Sequence, residues 1–361
     1  MKPSQTHDRR QSGSRPRIDR ATGLEMLSGM PMGRLMDLAH SERRRRRPEP
    51  VVTFVVDTNP NYTNICVTRC AFCAFCRSPG DPSAYTLSPE EVAKKAADAA
   101  ASGATTVLLQ GGNNPAIHLS DWIAYIRAIQ EVCPEMHIHP FSPAEYVWMA
   151  AHEGLPVSAV LRAVRDEGIA TIPGGGAEIL SNDVRKRIAP AKATADQWLE
   201  TCEIAHGMGF RTTATLMYGH LESDADIVDH LLKLRTLQDR TGGFTSFIAW
   251  SFKPAGSPLG KVVSNPAHPA RYVRILSAAR LLLDNFDHIQ SSWFSESPRA
   301  GQLGLLAGAD DFGGVLVEEN VLRNAGHERE ATVERVEELI RGAGFTPAQR
   351  DSDYRILRRF G

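Results

Sequence analysis

The chain predicts an α/β fold, a parallel (β/α)8 barrel of the TIM type, on three observations. Short β-branched runs alternate with longer amphipathic stretches from residue 51 onward. Eight such runs fit within 51–316, close to the span a barrel of this kind needs. The turn after the first run lacks the G-x-G-x-x-G that a doubly wound dinucleotide-binding sheet carries there.

In chain order, residues 1–20 are polar, basic and rich in Pro and Ser, which predicts a disordered tail. Two short helices, 21–27 and 34–42, are expected within an N-terminal segment 21–50. Arg43 to Arg47 reads as a solvated helix end: no aromatic is interleaved and the whole chain carries a net charge of −1, which gives nucleic acid no electrostatic footprint. Expected strands are 51–56, 105–110, 136–139, 170–172, 212–217, 247–252, 289–293 and 303–307. Between them, 89–102, 120–132, 157–167, 195–208, 224–240 and 270–285 have helical spacing. Ser88 before Pro89-Glu90-Glu91 is a strong helix start, an N-cap followed by proline and by acids at the positive dipole end. The remainder, 317–361, is expected as a helical extension, with helices near 318–324 and 332–341 packed outside the barrel.

Composition narrows the class further. With 361 residues, 42% of them hydrophobic, the chain can bury one large core or two small ones. No run of about 18 apolar residues exists, so no membrane insertion is expected. An apolar secretory h-region is also missing at the N-terminus. Three of the six cysteines are clustered, which argues against a disulfide framework and for a reducing cytoplasm. Cys133 and Cys202 fall in amphipathic stretches and read as core.

The cluster is the most informative string: Cys66-Val67-Thr68-Arg69-Cys70-Ala71-Phe72-Cys73, a C-x3-C-x2-C spacing. Three thiolates on one loop can hold a 4Fe–4S cluster at three corners and leave one iron open. Structural zinc prefers paired C-x2-C knuckles with four ligands, and ferredoxins space four cysteines differently. Cys76 is either a fourth ligand or a small residue lining the loop. The spacing resembles the signature of radical S-adenosylmethionine (SAM) enzymes. That resemblance implies two cofactors, a 4Fe–4S cluster held by Cys66, Cys70 and Cys73 and S-adenosyl-L-methionine chelated at the open iron, with Phe72 near the adenine.

A barrel places chemistry on loops leaving the C-terminal ends of its strands. The cysteine loop follows the first run, and other unusual strings follow later ones. Gln110-Gly111-Gly112 resembles the family's Gly-Gly-Glu motif, with Asn113 where Glu is usual; a tight turn is the plain alternative. Gly174-Gly175-Gly176 is followed by no Lys-Ser/Thr, so it is not a P-loop, and Glu178 just beyond it reads either as a contact for ribose hydroxyls or as a first-turn helix acid. The string from Thr215 through Met217 and Gly219 to Glu222 resembles the strand lining the adenine, which implies SAM contacts for Thr215 and Met217. Ser142 and His220 are candidate substrate contacts. His139, Glu145, Asp310 and Asp311 are unranked candidates for a general base, the last two placed beyond the eighth run; helix capping would account for them equally well. Arg69 and Arg185 are possible partners for a substrate carboxylate.

Taken together, the strings resemble the futalosine-pathway radical SAM enzymes of menaquinone biosynthesis. They include Asn61-Tyr62-Thr63-Asn64, His139-Pro140-Phe141-Ser142-Pro143, Pro173-Gly174-Gly175-Gly176-Ala177-Glu178 and Ala249-Trp250-Ser251-Phe252. The resemblance leans toward members that cyclise dehypoxanthinyl futalosine. It implies hydrogen abstraction by a 5′-deoxyadenosyl radical, intramolecular C–C bond formation, and an external electron donor of flavodoxin or ferredoxin type. Members of the aminofutalosine synthase kind, and a non-catalytic iron–sulfur protein, are the alternatives.

Overall fold

In the computed structural model, residues 16–327 and 331–361 are described, so 1–15 of the expected tail lie outside them. The strands are β1 (Val51–Asn59), β2 (Thr106–Leu109), β3 (His137–Pro140), β4 (Thr171–Ile172), β5 (Arg211–Tyr218), β6 (Phe244–Ser251), β7 (His288–Gln290), β8 (Asp311–Glu319), β9 (Thr346–Arg350) and β10 (Ile356–Arg359). All neighbours from β4 through β8 to β1, β2 and β3 pair in parallel, the order of a (β/α)8 barrel. No backbone ladder joins β3 to β4. Side chains close that seam: His137 Nε2 lies 2.6 Å and His139 Nδ1 2.8 Å from the single hydroxyl of Thr171. His137 and His139 therefore share the inner face, as alternation along a strand requires.

Helices cover the outside; those expected at 89–102, 120–132, 157–167, 195–208, 224–240 and 270–285 start within a residue of those positions, while Pro143–Glu153 and Asn182–Ile188 were not anticipated. Pro89–Ala101 is capped by Ser88 with Glu91 reaching back to the Ser88 amide. The helices Arg20–Ser28 and Met32–Arg46 lie against the Asp224–Thr241 and Pro269–Leu282 helices. None of the helices in the described residues is long and apolar enough to cross a membrane. Arg43, inside the basic run, is buried and donates to the carbonyls of Ala309 and Val51, so one member of that run is structural rather than solvated.

Two expectations are corrected. Residues 303–307 are not a strand: 303–306 end the helix Pro298–Leu306, which Ser297 caps at its start and Ala307 at its end, and the eighth strand is Asp311–Glu319. The apolar Leu303 to Leu306 segment covers one turn of a helix, a length too short for periodicity to separate the two states. The extension beyond 316 is not purely helical either. Besides helices Asn320–Asn324 and Val333–Gly342 it supplies β9 and β10. β9 pairs in parallel with the first half of β1, Val51 to Phe54, while β2 takes the second half of the same edge at Asp57 and Thr58. The β9–β10 hairpin thereby closes the N-terminal end of the barrel: Arg350, Ser352 and Tyr354 line the lumen from below.

Candidate active site

The cysteine loop leaves the C-terminal end of β1 and is tied down along its length. Cys66 N donates to Arg77 O at 3.0 Å, Val67 N to Asn113 O at 3.0 Å and Ala71 N to Ile188 O at 2.7 Å. Arg77 returns its guanidinium to the carbonyls of Ala74, Phe75 and Cys76 at 2.9–3.0 Å. Cys66, Cys70 and Cys73 face one cavity of about 250 Å³, and Cys76 reaches it too. Phe72, Gln110, Gly111, Gly112, Ser142, Glu145, Glu178 and Thr215 line the same cavity. Residues as far apart in sequence as Asn59 and Val321 are thus gathered at the barrel mouth.

The glycines have a packing cause. A methyl at 112 would overlap the Ile65 carbonyl, and one at 111 would sit 2.6 Å from the Tyr62 ring, so both glycines let the β2 loop seat against the cysteine loop. The Gly111 amide already donates to Glu145 Oε1 at 3.2 Å. Glu145 Oε2 accepts from the Ser142 amide at 2.7 Å and hydroxyl at 2.6 Å, the capping box of helix Pro143–Glu153. Burial raises the Glu145 carboxyl above its ordinary value despite those bonds. Glu178 sits in the left-handed region at φ 46° and is paired with Lys192, Nζ to Oε1 2.8 Å. Burial opposes charge on Lys192, but Glu178 and the neighbouring Cys70 together outweigh it and the ammonium is held above the usual lysine range. Its Nζ also stands 5.4 Å above the Phe72 ring.

Other singled-out residues lie elsewhere. Met217 is fully buried and outside the cavity lining, its amide donating to Glu178 O at 2.8 Å. His220 turns its Nε2 to the Met217 carbonyl at 3.0 Å and does not line the cavity. His139 lines the lumen beneath, and burial pushes its imidazole down to about 3, so it stays neutral. Asp310 and Asp311 open β8 instead of following the eighth strand, which puts them at the opposite end of the barrel. Asp311 receives Arg350 at 2.5 and 3.0 Å and Thr53 at 2.6 Å, while Asp310 is bound by Arg280 and His288. Neither lines any of the three cavities at the mouth and in the lumen. Arg185 is buried and its guanidinium is consumed by the carbonyls of Gly176, Ala177 and Ala193. Arg69 is exposed, bonded to Ser78.

Sequence reading missed Lys192, Trp250 as a wall of the mouth, and Asp57. Trp250 and Gln110 line the cysteine cavity, a lumen cavity of about 320 Å³ and an adjoining cavity of about 330 Å³ walled by Trp293, Phe294 and Phe312. Asp57 falls one residue beyond the expected strand 51–56; its inward direction follows once the strand extends to Asn59, since 55, 57 and 59 share a face.

A cluster suits these donors. Two thiolates on one zinc ion are at most about 4.6 Å apart, twice a Zn–S bond. Among the described residues the one His/Cys/Asp/Glu group whose ligand atoms all fall within 4.8 Å is His118, His152 and Glu153, so the three cysteine sulfurs stand wider than a single ion's shell. Burial pushes the Cys70 thiol up to about 12, whereas the Cys76 thiol, donating to Cys73, holds Cys73 below its ordinary value. Holding a metal therefore requires Cys70 to give up its proton.

Comparison with known proteins agrees. Residues 60–234 match the radical SAM superfamily model, and 241–359 match the model described as the CofH/MqnC C-terminal region. The chain is 41% identical to the 5-amino-6-(D-ribitylamino)uracil–L-tyrosine 4-hydroxyphenyl transferase of Methanopyrus kandleri, covering 93% of each. It is 39% identical to the cyclic dehypoxanthine futalosine synthase of Halalkalibacterium halodurans, over 87% of this chain and 84% of that one. The crystal structure of methylornithine synthase superposes with a TM-score of 0.72 at 18% identity, over 92% of this chain and 95% of that one, which shows the shared fold. The chain belongs to the radical SAM superfamily, within the group that includes these transferases and futalosine synthases, and is an enzyme whose cofactors are a 4Fe–4S cluster and S-adenosylmethionine.

Proposed function

We propose that the chain converts dehypoxanthinyl futalosine to its cyclic form, in menaquinone biosynthesis. The observation that carries this reading is the shared wall of Gln110 and Trp250: a nucleotide at the cysteines and a second molecule in the lumen would meet there. Three aromatic side chains, Trp293, Phe294 and Phe312, suit a benzoate ring in the adjoining cavity, and the polar lumen below suits a ribose.

Cys66, Cys70 and Cys73 would hold the cluster, which with SAM supplies a 5′-deoxyadenosyl radical after one-electron reduction by a flavodoxin- or ferredoxin-type donor. Glu178, braced by Lys192, accepts from nucleotide hydroxyls, and Phe72 covers the base. The buried walls exclude water and stray hydrogen donors and hold the reacting atoms at roughly 3–3.5 Å. Reconstituted protein given SAM, reductant and dehypoxanthinyl futalosine should yield 5′-deoxyadenosine and a cyclised product by mass spectrometry. A second reading is favoured by the Methanopyrus kandleri relative: transfer of a 4-hydroxyphenyl group from tyrosine to 5-amino-6-(D-ribitylamino)uracil. Product from that pair, and none from dehypoxanthinyl futalosine, would replace the first reading with the second.

A further inference from the structure

Among the described residues, Oδ1 of Asp57 is the only buried carboxylate oxygen without a hydrogen bond. It faces Gly314 of β8, where a methyl would overlap it, so the glycine makes room for the carboxylate. Asp57 lines both the lumen cavity and the aromatic cavity, as Gln290 does, and lies one inward position below Asn59. A bare buried carboxylate is unfavourable for folding, and such groups are retained where they act.

We propose that Asp57 is the general base of the reaction, removing a proton from the ring of the substrate seated in the aromatic cavity. The inference rests on the cyclase reading. The carbon radical formed after hydrogen abstraction adds to a ring carbon, making one C–C bond and leaving that carbon with both its hydrogen and the new bond. Restoring the aromatic ring breaks the C–H bond: the proton goes to the Asp57 carboxylate, and the surplus electron passes to a one-electron oxidant of the iron–sulfur class. Burial pushes the Asp57 carboxyl up to about 7, so near neutrality it exchanges protons readily. The other titratable groups around it and in the same lumen are Arg350 on β9, Asp311 on β8, His139 on β3, Arg211 on β5 and Tyr354 of the hairpin. Arg350 favours the ionised form and Asp311 opposes it.

The test is Asp57→Asn with substrate deuterated at the abstraction site. Wild-type enzyme should pass deuterium into 5′-deoxyadenosine and make cyclised product. The variant should still pass deuterium but make product at least about 100-fold more slowly, the span general-base removal covers. Asp57→Ala should behave likewise and regain product on adding formate, a small carboxylate that fits the vacated space. Substrate binding to the metal-free protein, followed by tryptophan fluorescence, should weaken from pH 6 to pH 8 in the wild type and stay level in Asp57→Asn, because an apolar ring disfavours the ionised carboxylate. Wild-type product rates in either variant without formate would overturn the assignment, as would pH-independent binding in the wild type. If the wild type itself passes no deuterium from this substrate, the cyclase reading fails instead.

Discussion

The two ends of the barrel hold the same residue types on opposite terms. At the floor, Asp310 and Asp311 are buried and saturated by Arg280, His288, Arg350 and Thr53. In the lumen toward the mouth, Asp57 is also buried but keeps an oxygen with no hydrogen bond, and Lys192 and Glu178, paired with each other, line an open cavity. The floor is built to be inert. The mouth carries unmet electrostatic demand, and unmet demand is what a ligand can satisfy.

Breaking the mouth should have the largest effect. Cys70→Ala should abolish cluster content, read by iron assay and visible absorption, and with it all 5′-deoxyadenosine. At the floor the loss should fall on stability instead. Arg350→Ala leaves the Asp311 carboxylate buried without its main partner, and denaturant melts should show about 3–5 kcal/mol lost. The lumen acid should respond with the opposite sign. The Asp57 pKa is about 7 folded, above the ordinary unfolded value near 3.9, so the folded state keeps its proton longer. Its stability contribution is intact below about pH 4 and declines as pH rises through 7, by about 4 kcal/mol. Asp57→Asn should therefore melt higher than wild type at pH 8 and differ little at pH 4. A fall in melting temperature at pH 8 would mean that Asp57 is as well satisfied as the floor acids. The smallest effect belongs to the seam: Thr171→Val removes the hydroxyl that both histidines share and should cost about 1–2 kcal/mol.

Much of this was legible in the chain. β-Branched runs and capping signals mark β1 to β7, because each element carries its own periodicity and end signals, as Ser88-Pro89-Glu90-Glu91 does. The cysteine spacing and the loops at Gln110, Gly174 and Thr215 point to one face, and the structure gathers them at one cavity. What was hidden depends on long-range contacts. Ser297-Pro298 was a readable helix start that the apolar Leu303 to Leu306 segment obscured, and the error inverted the placement of Asp310 and Asp311. β10 is exposed along its whole length and β9 contains Pro347, so neither shows an alternating apolar pattern; β9 is specified by pairing with Val51 to Phe54. Nothing local marks Lys192 or Asp57, since their importance comes from what the fold brings, or fails to bring, beside them.

The pairing of Val51 with Thr346 has a consequence for biogenesis. Half of one edge of the first strand must wait for a partner made 295 residues later, from position 51 to 346. Over that interval its amide and carbonyl row is open to any other extended chain, the condition under which nascent sheets associate wrongly. Chaperone dependence during synthesis, and slow acquisition of protease resistance in residues 51–54, would be the outward signs of that delay.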